Sequence, residues 1–314
     1  MTYKTFFIEI FNSVKGNIMT KKILPALIGA ALAGGMSVAA ADVTVFGHID
    51  TSLNNVDFDP GGGSPSSDDT NFHCTTCSIG FKGSEDLGNG LKAIFKLDFQ
   101  YDTIVRNDGD GSSADGDNDE SGLKDRDQWL GLAGGFGQVR IGTIATVYKS
   151  HGAMIDPLYR TFLQGRDHGL QSPAHSGAGE ELEGRATNTV RWDSANFNGF
   201  KVGAHYTLDS SEGDGEDNNP FGIGASYENG GILVFADYIT NDGSPSQTVP
   251  GNNDGEINAW KLGGKFSMNN FAVMGQYEDI EANEGNNEEG TLWHVAGTYT
   301  MGNNTLYAGY GQGT

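Results

Sequence analysis

The chain has 314 residues, of which 48 are glycine, 37% are hydrophobic and 19% are charged, with a mean hydropathy of −0.40. Beyond the first 41 residues no stretch approaches the roughly 20 apolar residues that a spanning helix needs, and Gly, Asn and Asp recur every few residues, each costly in a helix interior. A helical membrane protein and a helix-rich soluble one are thereby excluded, and a formal net charge of −22 lacks the basic footprint of a nucleic-acid binder.

From Met19 the chain reads Lys21-Lys22, the apolar run Ile23–Val38, then Ala39-Ala40-Ala41 before Asp42. A basic start, a short apolar run and a small-residue cleavage site make residues 19–41 an export signal, and the run is too short and glycine-rich for a membrane anchor. Residues 1–18 fit no targeting pattern. Lys15-Gly16 can be encoded by a ribosome-binding sequence just upstream of Met19, so these residues read as an over-extended start, and residues 42–314 as the mature domain. Removing Lys4, Lys15, Lys21, Lys22 and Glu9 leaves 15 basic against 40 acidic residues, a formal charge of −25.

The mature part reads as all-β. Along Leu91–Tyr101, Leu91, Ala93, Phe95, Leu97, Phe99 and Tyr101 fall on one face, and Lys92, Ile94, Lys96, Asp98 and Gln100 on the other. A strand with one face in lipid and one toward a wet interior must alternate over about ten residues. The same alternation runs through Val43–Asp50, Phe200–Asp209 and Phe271–Glu278. Strands are predicted near 43–53, 77–83, 91–102, 126–133, 138–144, 187–195, 200–209, 220–228, 231–240, 257–266, 271–280, 291–300 and 304–311, about thirteen in all.

Two kinds of connection alternate strictly between these strands. Short Gly/Asn-rich turns occupy Ser84–Gly90, Gly134–Gly137, Asn196–Gly199, Glu228–Gly231, Ser267–Asn270 and Met301–Asn304. Long connections occupy Asn54–Phe72, Thr103–Asp125, Ala145–Ala186, Asp209–Asn219, Asn241–Glu256 and Glu281–Gly290. That asymmetry belongs to a transmembrane antiparallel β-barrel of the outer-membrane type, with short turns on the periplasmic side and long loops outside; a β-solenoid adhesin would lack it. A single-chain bacterial barrel closes with an even strand count, and the chain stops mid-pattern at Gln312-Gly313-Thr314, so further C-terminal strands are expected.

Several constellations of residues could carry chemistry. Cys74 and Cys77, in His73-Cys74-Thr75-Thr76-Cys77, read in an exported chain as a small disulfide loop, placed in a loop or bulge, that should add little stability. A metal pair with His73 has too few ligands, and redox chemistry lacks its βαβ setting. Asp108, Asp110, Asp115, Asp117, Asp119 and Glu120 crowd the second long connection. Asp108, Asp110 and Asp119 form only a weak cation loop, because Ser113 stands where a calcium loop has its glycine, so a solvated acidic loop is the better reading, with divalent ions bridging it to lipopolysaccharide phosphates as the alternative. No Gly-x-Ser-x-Gly occurs and no His has a recognisable catalytic setting, so an outer-membrane hydrolase is a minor alternative; neither cofactor nor resident metal is expected.

Ser78–Leu97, SIGFKGSEDLGNGLKAIFKL, and Gln128–Gly142, QWLGLAGGFGQVRIG, together with VTVFGHIDTSL at the mature start and NTVRWDSANFNGFKVGAHY from Asn188, resemble the general porins of Gram-negative bacteria. The resemblance implies sixteen strands per subunit, a homotrimer in the outer membrane, and a water-filled channel for passive diffusion of ions and small hydrophilic solutes. The third external loop would fold into the lumen as a constriction, here Ala145–Ala186 with its Asp156-Pro157-Leu158-Tyr159. Export and barrel-assembly machinery, outer-membrane lipid and lipopolysaccharide are the implied partners. The family often carries arginines where this chain has Ser78 and Thr143, whereas Arg126 and Arg191 stand at matching positions. With Lys96, Asp98, Asp156, Asp167, Glu180, Glu181 and Glu183 these are the candidate lumen residues, and their charges with the acidic second loop lead to an expected moderate cation preference. A substrate-specific channel is the alternative, but no inward aromatic row suited to a sugar is found, and Trp129 and Tyr307 are assigned to the girdles or a subunit contact. Without its last strands, the 314-residue form alone is not expected to form a closed trimer.

Cleavage before Asp42 is expected. The intact mass of the outer-membrane protein checks it: a mass retaining residues 20–41 would overturn both the signal segment and the Met19 start.

Overall fold

The computed structural model of the protein describes residues 3–12, 42–58, 67–101, 104, 123–176, 184–208, 219–241, 257–282 and 290–314. The export segment 19–41, the acidic residues Asp108, Asp110 and Asp119, and Glu180, Glu181 and Glu183 lie outside them. No helix among the described residues is long and apolar enough to cross a membrane.

The chain is built from strands joined in antiparallel order. They are β1 (Tyr3–Asn12), β2 (Asp42–His48), β3 (Ser52–Phe58), β4 (Ser67–His73), β5 (Ser78–Gly88), β6 (Leu91–Gln100), β7 (Lys124–Gly134) and β8 (Gly137–Ala145). After helix α1 (Val147–Met154) and two short 3-10 turns at Gly165–Asp167 and Pro173–His175 come β9 (Arg185–Asp193), β10 (Phe200–Thr207), β11 (Phe221–Asn229) and β12 (Ile232–Asn241). The last four are β13 (Ile257–Met268), β14 (Phe271–Ala282), β15 (Gly290–Met301) and β16 (Asn304–Gly313). Fourteen of these form one sheet in the order β1-β16-β15-β14-β13-β12-β11-β10-β9-β8-β7-β6-β5-β2, while β3 and β4 form a separate hairpin. All thirteen strands expected from the alternation are present as β2 and β5–β16.

Two elements differ from the sequence reading. Asn54–Phe72, taken as a plain connection, carries the β3–β4 hairpin, whose polar strands show no alternation to read. Tyr3–Asn12 pairs with β16 from Tyr3↔Gly313 to Asn12↔Asn304 and adds a strand outside the expected set.

The turns follow from backbone sterics. Asn89 and Gly90 have φ of 54° and 77°, the left-handed pair that a two-residue hairpin requires and that matches the twist of β5 and β6. Long strands then alternate as lipid demands. On β13, Trp260 and Leu262 are exposed while Ala259 and Lys261 are buried; on β15, Trp293, Val295 and Tyr299 point out, with His294 and Ala296 inward. Outward aromatics form two rows. Phe221–Tyr238, Trp260–Tyr277 and Trp293–Tyr310 pair near the long-loop end, with Phe200–Tyr227 and the Cα partners Phe271 and Tyr299 near the short turns. Six residues separate Phe271 from Tyr277 along β14, roughly 20 Å of strand, close to the apolar band of an outer-membrane barrel.

Val295, 46% exposed between those rows, tests the outward face. Val295→Arg is expected to lower folding stability in lipid vesicles by about 2–4 kcal/mol, whereas Thr298→Lys, in the inward row, should change it little. Urea titration of the refolded protein measures both, and equal losses would mean that the faces are misassigned.

Candidate functional site

The segment between β8 and β9 folds against the inward side of the sheet. Thr146 caps α1, its Oγ1 accepting from the Lys149 N–H at 3.1 Å, and α1 packs on β10, β11 and β12. Inward glycines make the seat: a Cβ on Gly203 would lie 3.1 Å from a Val147 methyl, and one on Gly224 2.7 Å. Ile155 and Leu158 then enter an apolar cluster with Leu233, Phe235, Met274 and Tyr307, and Tyr148 joins Ala174, Ile239 and Ala259 in a second. The inner rows of β12–β16 are therefore covered by protein over much of their length, which is why they tolerate apolar side chains.

Buried charges fix this strap. Asp237, Lys261 and Glu278 are register neighbours across β12, β13 and β14. Glu278 accepts from Tyr148 Oη at 2.8 Å and from the Ser172 N–H at 3.1 Å, and Lys261 Nζ donates to the Tyr148 carbonyl and lies 2.8 Å from His175 Nε2. His151 Nδ1 stands 2.6 Å from Asp237 Oδ1. These residues escaped the sequence reading; the available signal was opposite charges at facing positions of consecutive strands, legible only once register is known.

A second charged group occupies the wall of β5, β6, β7 and β9. Opposite Asp98 the β6–β7 ladder skips a residue, and this bulge turns Arg126 and Asp127 to the same side. Arg126 Nε lies 3.5 Å from Asp98 and its Nη1 donates to Gln100 at 2.8 Å; Asp127 takes Lys96 at 2.7 Å and Arg185 at 2.8 Å. From the strap, Arg160 donates to Ser78 Oγ at 2.7 Å. Lys149 is buried nearby, and burial together with Arg185, Arg166 and Arg126 holds its ammonium pKa well below the ordinary lysine value. On the adjoining wall Arg191 binds Asp193 at 2.6 Å and Ser150 Oγ at 2.8 Å, while Arg140 pairs with Asp193 and covers the Trp129 ring.

The sequence-derived candidates thus separate. Ser78, Lys96, Asp98 and Arg126 share one wall, and Arg191 lies on the next. Thr143 stands opposite Gln128, two residues from the outward Ile141. Asp156 accepts from the Leu158 and Gly165 N–H groups at 2.9 and 2.8 Å and shapes a turn of the strap, its pKa raised by burial. Asp167 lies 3.7 Å from Arg166. Cys74 and Cys77 are joined as a disulfide. Single aromatics do face inward. Phe46 lies under Lys82 and Lys96, Trp129 under Arg140 and Phe235 under Lys261, and Tyr307 is in the strap cluster rather than at a subunit contact. Each is capped, so they form no open slide.

A family model described as Gram-negative porin matches residues 26–314. The chain belongs to the Gram-negative porin family. It is 31% identical over 222 residues to the major outer membrane protein P.IB of Neisseria gonorrhoeae, covering 68% of this chain and 55% of that protein. With P.IB of Neisseria lactamica it is 28% identical over 302 residues, 92% of this chain and 81% of the relative. The chain spans little more than half the length of the gonococcal relative and of its serogroup A meningococcal counterpart, at 55% and 57%. Among solved structures, the anion-selective porin from Comamonas acidovorans aligns with a TM-score of 0.66 at 22% identity, over 87% of this chain and 78% of that one. Salmonella typhi OmpF in complex with daunomycin aligns with a TM-score of 0.60 at 16% identity, over 83% and 75%. The porin fold and an outer-membrane location follow from these findings.

Glu278→Ala would remove one of the two carboxylates near the buried Lys261 and leave the Tyr148 hydroxyl and the Ser172 amide without their acceptor. The strap is expected to detach at a cost of about 3 kcal/mol, seen as faster tryptic cutting within residues 146–176 of the folded protein. An unchanged digestion rate would show that the apolar clusters alone hold it.

Proposed function

We propose that this porin forms a water-filled channel for passive diffusion of ions and small hydrophilic solutes, as a subunit of a homotrimer. The observation that carries the reading is the inward strap, α1 and the residues after it, fixed across the inner face with clustered charges beside it. A passage narrowed by a rigid segment and lined with fixed charge discriminates by size and sign and needs no catalysis. A specific sugar channel is disfavoured because the inward aromatics are capped by cations.

Selectivity arises from two opposed fields. The acidic loops and a mature charge of −25 enrich cations at the mouth over about a Debye length, roughly 8 Å at physiological salt. Inside, among the described residues, Lys96, Arg126, Arg160 and Arg185 gather around the carboxylates of Asp98 and Asp127. A moderate cation preference in dilute salt is therefore expected to shift toward anions near 1 M, where the mouth is screened to about 3 Å. Stepwise conductance in a planar bilayer tests the channel, and reversal potentials in potassium chloride gradients test its sign. Lys96→Gln should strengthen cation preference. Anion preference in dilute salt, or no change in Lys96→Gln, would overturn the two-field account.

A further inference from the structure

The disulfide loop does not face solvent: Cys77 and Thr76 are 0% and 3% exposed, and their neighbour is the strap. Arg160 sits there at φ 72°, a left-handed conformation costly for a side chain as large as arginine and kept only where surrounding bonds impose it. Those bonds come chiefly from Thr76, enclosed between the two cysteines. Thr76 Oγ1 donates to the Arg160 carbonyl at 2.7 Å, and the guanidinium returns a bond to the Thr76 carbonyl at 2.9 Å before reaching Ser78. Gln164 Oε1 takes the Arg160 N–H at 3.2 Å, and the His73 ring lies 5.2 Å from that of Phe162. The cysteine loop is itself tied to the end of β6, where Tyr101 N–H donates to the Cys77 carbonyl at 3.0 Å and Gln100 to that of Thr75 at 3.3 Å.

We propose that the Cys74–Cys77 disulfide loop is a clip that presents Thr76 to Arg160, holding the strap and its guanidinium against the β5 wall, so that opening the disulfide releases this part of the constriction. A disulfide closing so short a loop contributes little to global stability, but it fixes the backbone of the two threonines between its ends. Reduction by dithiothreitol transfers two electrons and two protons to the pair, giving two thiols and the cyclic disulfide of the reductant. The Thr75-Thr76 turn then gains freedom, and Arg160 loses what compensates its strained backbone.

The test uses full-length protein folded in the oxidised state and then probed with trypsin, whose cut after Arg160 does not depend on conduction. Dithiothreitol-treated protein, its reduction verified by a mass gain of two hydrogens, should be cut at Arg160–Thr161 roughly tenfold faster than oxidised protein. Cys74→Ser/Cys77→Ser and Thr76→Val should match it, and Thr76→Ser, which keeps the hydroxyl, should behave as wild type. In bilayers the reduced and Thr76→Val forms should show noisier open states; this arm alone rests on the channel reading. Equal cleavage of oxidised and reduced protein, or wild-type behaviour of Thr76→Val, would overturn the clip. Cleavage differences without channels in any form would uphold the clip and overturn the channel.

Discussion

Hydrocarbon offers a backbone N–H or C=O nothing to bond with, and this constraint governs the rest of the structure. The chain answers with one antiparallel ladder running without a crossover from β2 through β5–β16. Once neighbouring strands satisfy the backbone, side chains need only obey the alternation, apolar outward and unrestricted inward. Among the described strands the ladder departs from regular register in three places, one beside the β5–β6 turn at Asp86–Gly88 and two at the charged wall. The bulge opposite Asp98 turns Arg126 and Asp127 to one side, and a second, between Gly142 and Ile144, accompanies the left-handed Asn188 just before Thr189 and Arg191. A skipped residue concentrates charge where strict alternation would have sent every second side chain to lipid.

Freed from lipid, the inner face does two different jobs. Along β12–β16 it carries an apolar patch that the strap fills as a core, with Phe235, Met274 and Tyr307 receiving Ile155 and Leu158, beside the buried Asp237, Lys261 and Glu278. Along β5–β9 it is charged. Apolar contact alone would let the strap settle in several registers, because Ile and Leu fit many hollows of similar size. The buried Asp237, Lys261 and Glu278 admit one arrangement, since Tyr148 and Ser172 must meet Glu278 and His175 must meet Lys261. Taking three charges out of water is expensive, so their contribution here is to positioning more than to stability.

How much of this was legible in the sequence depended on the range of the interaction. Strands, turns and the lipid face are local: Leu91–Tyr101 alternates by itself, and Asn89-Gly90 specifies its turn without reference to the rest of the chain. The β3–β4 hairpin failed the same reading because Asn54-Asn55 and Thr70-Asn71 carry no apolar period. The strap's partners lie far along the chain, Arg160 and Ser78 being 82 residues apart and Tyr148 and Glu278 130, and no pattern within a strand reports them. Lys96 and Asp98 were reachable by counting along β6, whereas Arg126 was reached through the family match: counting by two from the outward Leu130 sends it to lipid and Asp127 inward, and the bulge brings both to one side.

Ser78 shows what such long-range contacts can replace. Small and 1% exposed, it looks in the sequence like a position where the wall has lost a cation. A guanidinium nevertheless lies against it, carried by Arg160 from the strap. A strand residue can be placed only in steps of about 3.3 Å along the ladder, whereas a loop residue can come from any direction if its backbone is held. The strap also touches strands far apart in the main ladder, Tyr307 of β16 through the apolar cluster and Ser78 of β5 with His48 of β2 through Arg160. Charge delivered in this way is conditional: it stays at the β5 wall only while the strap stays seated, which joins the electrostatics of that wall to the packing of the loop.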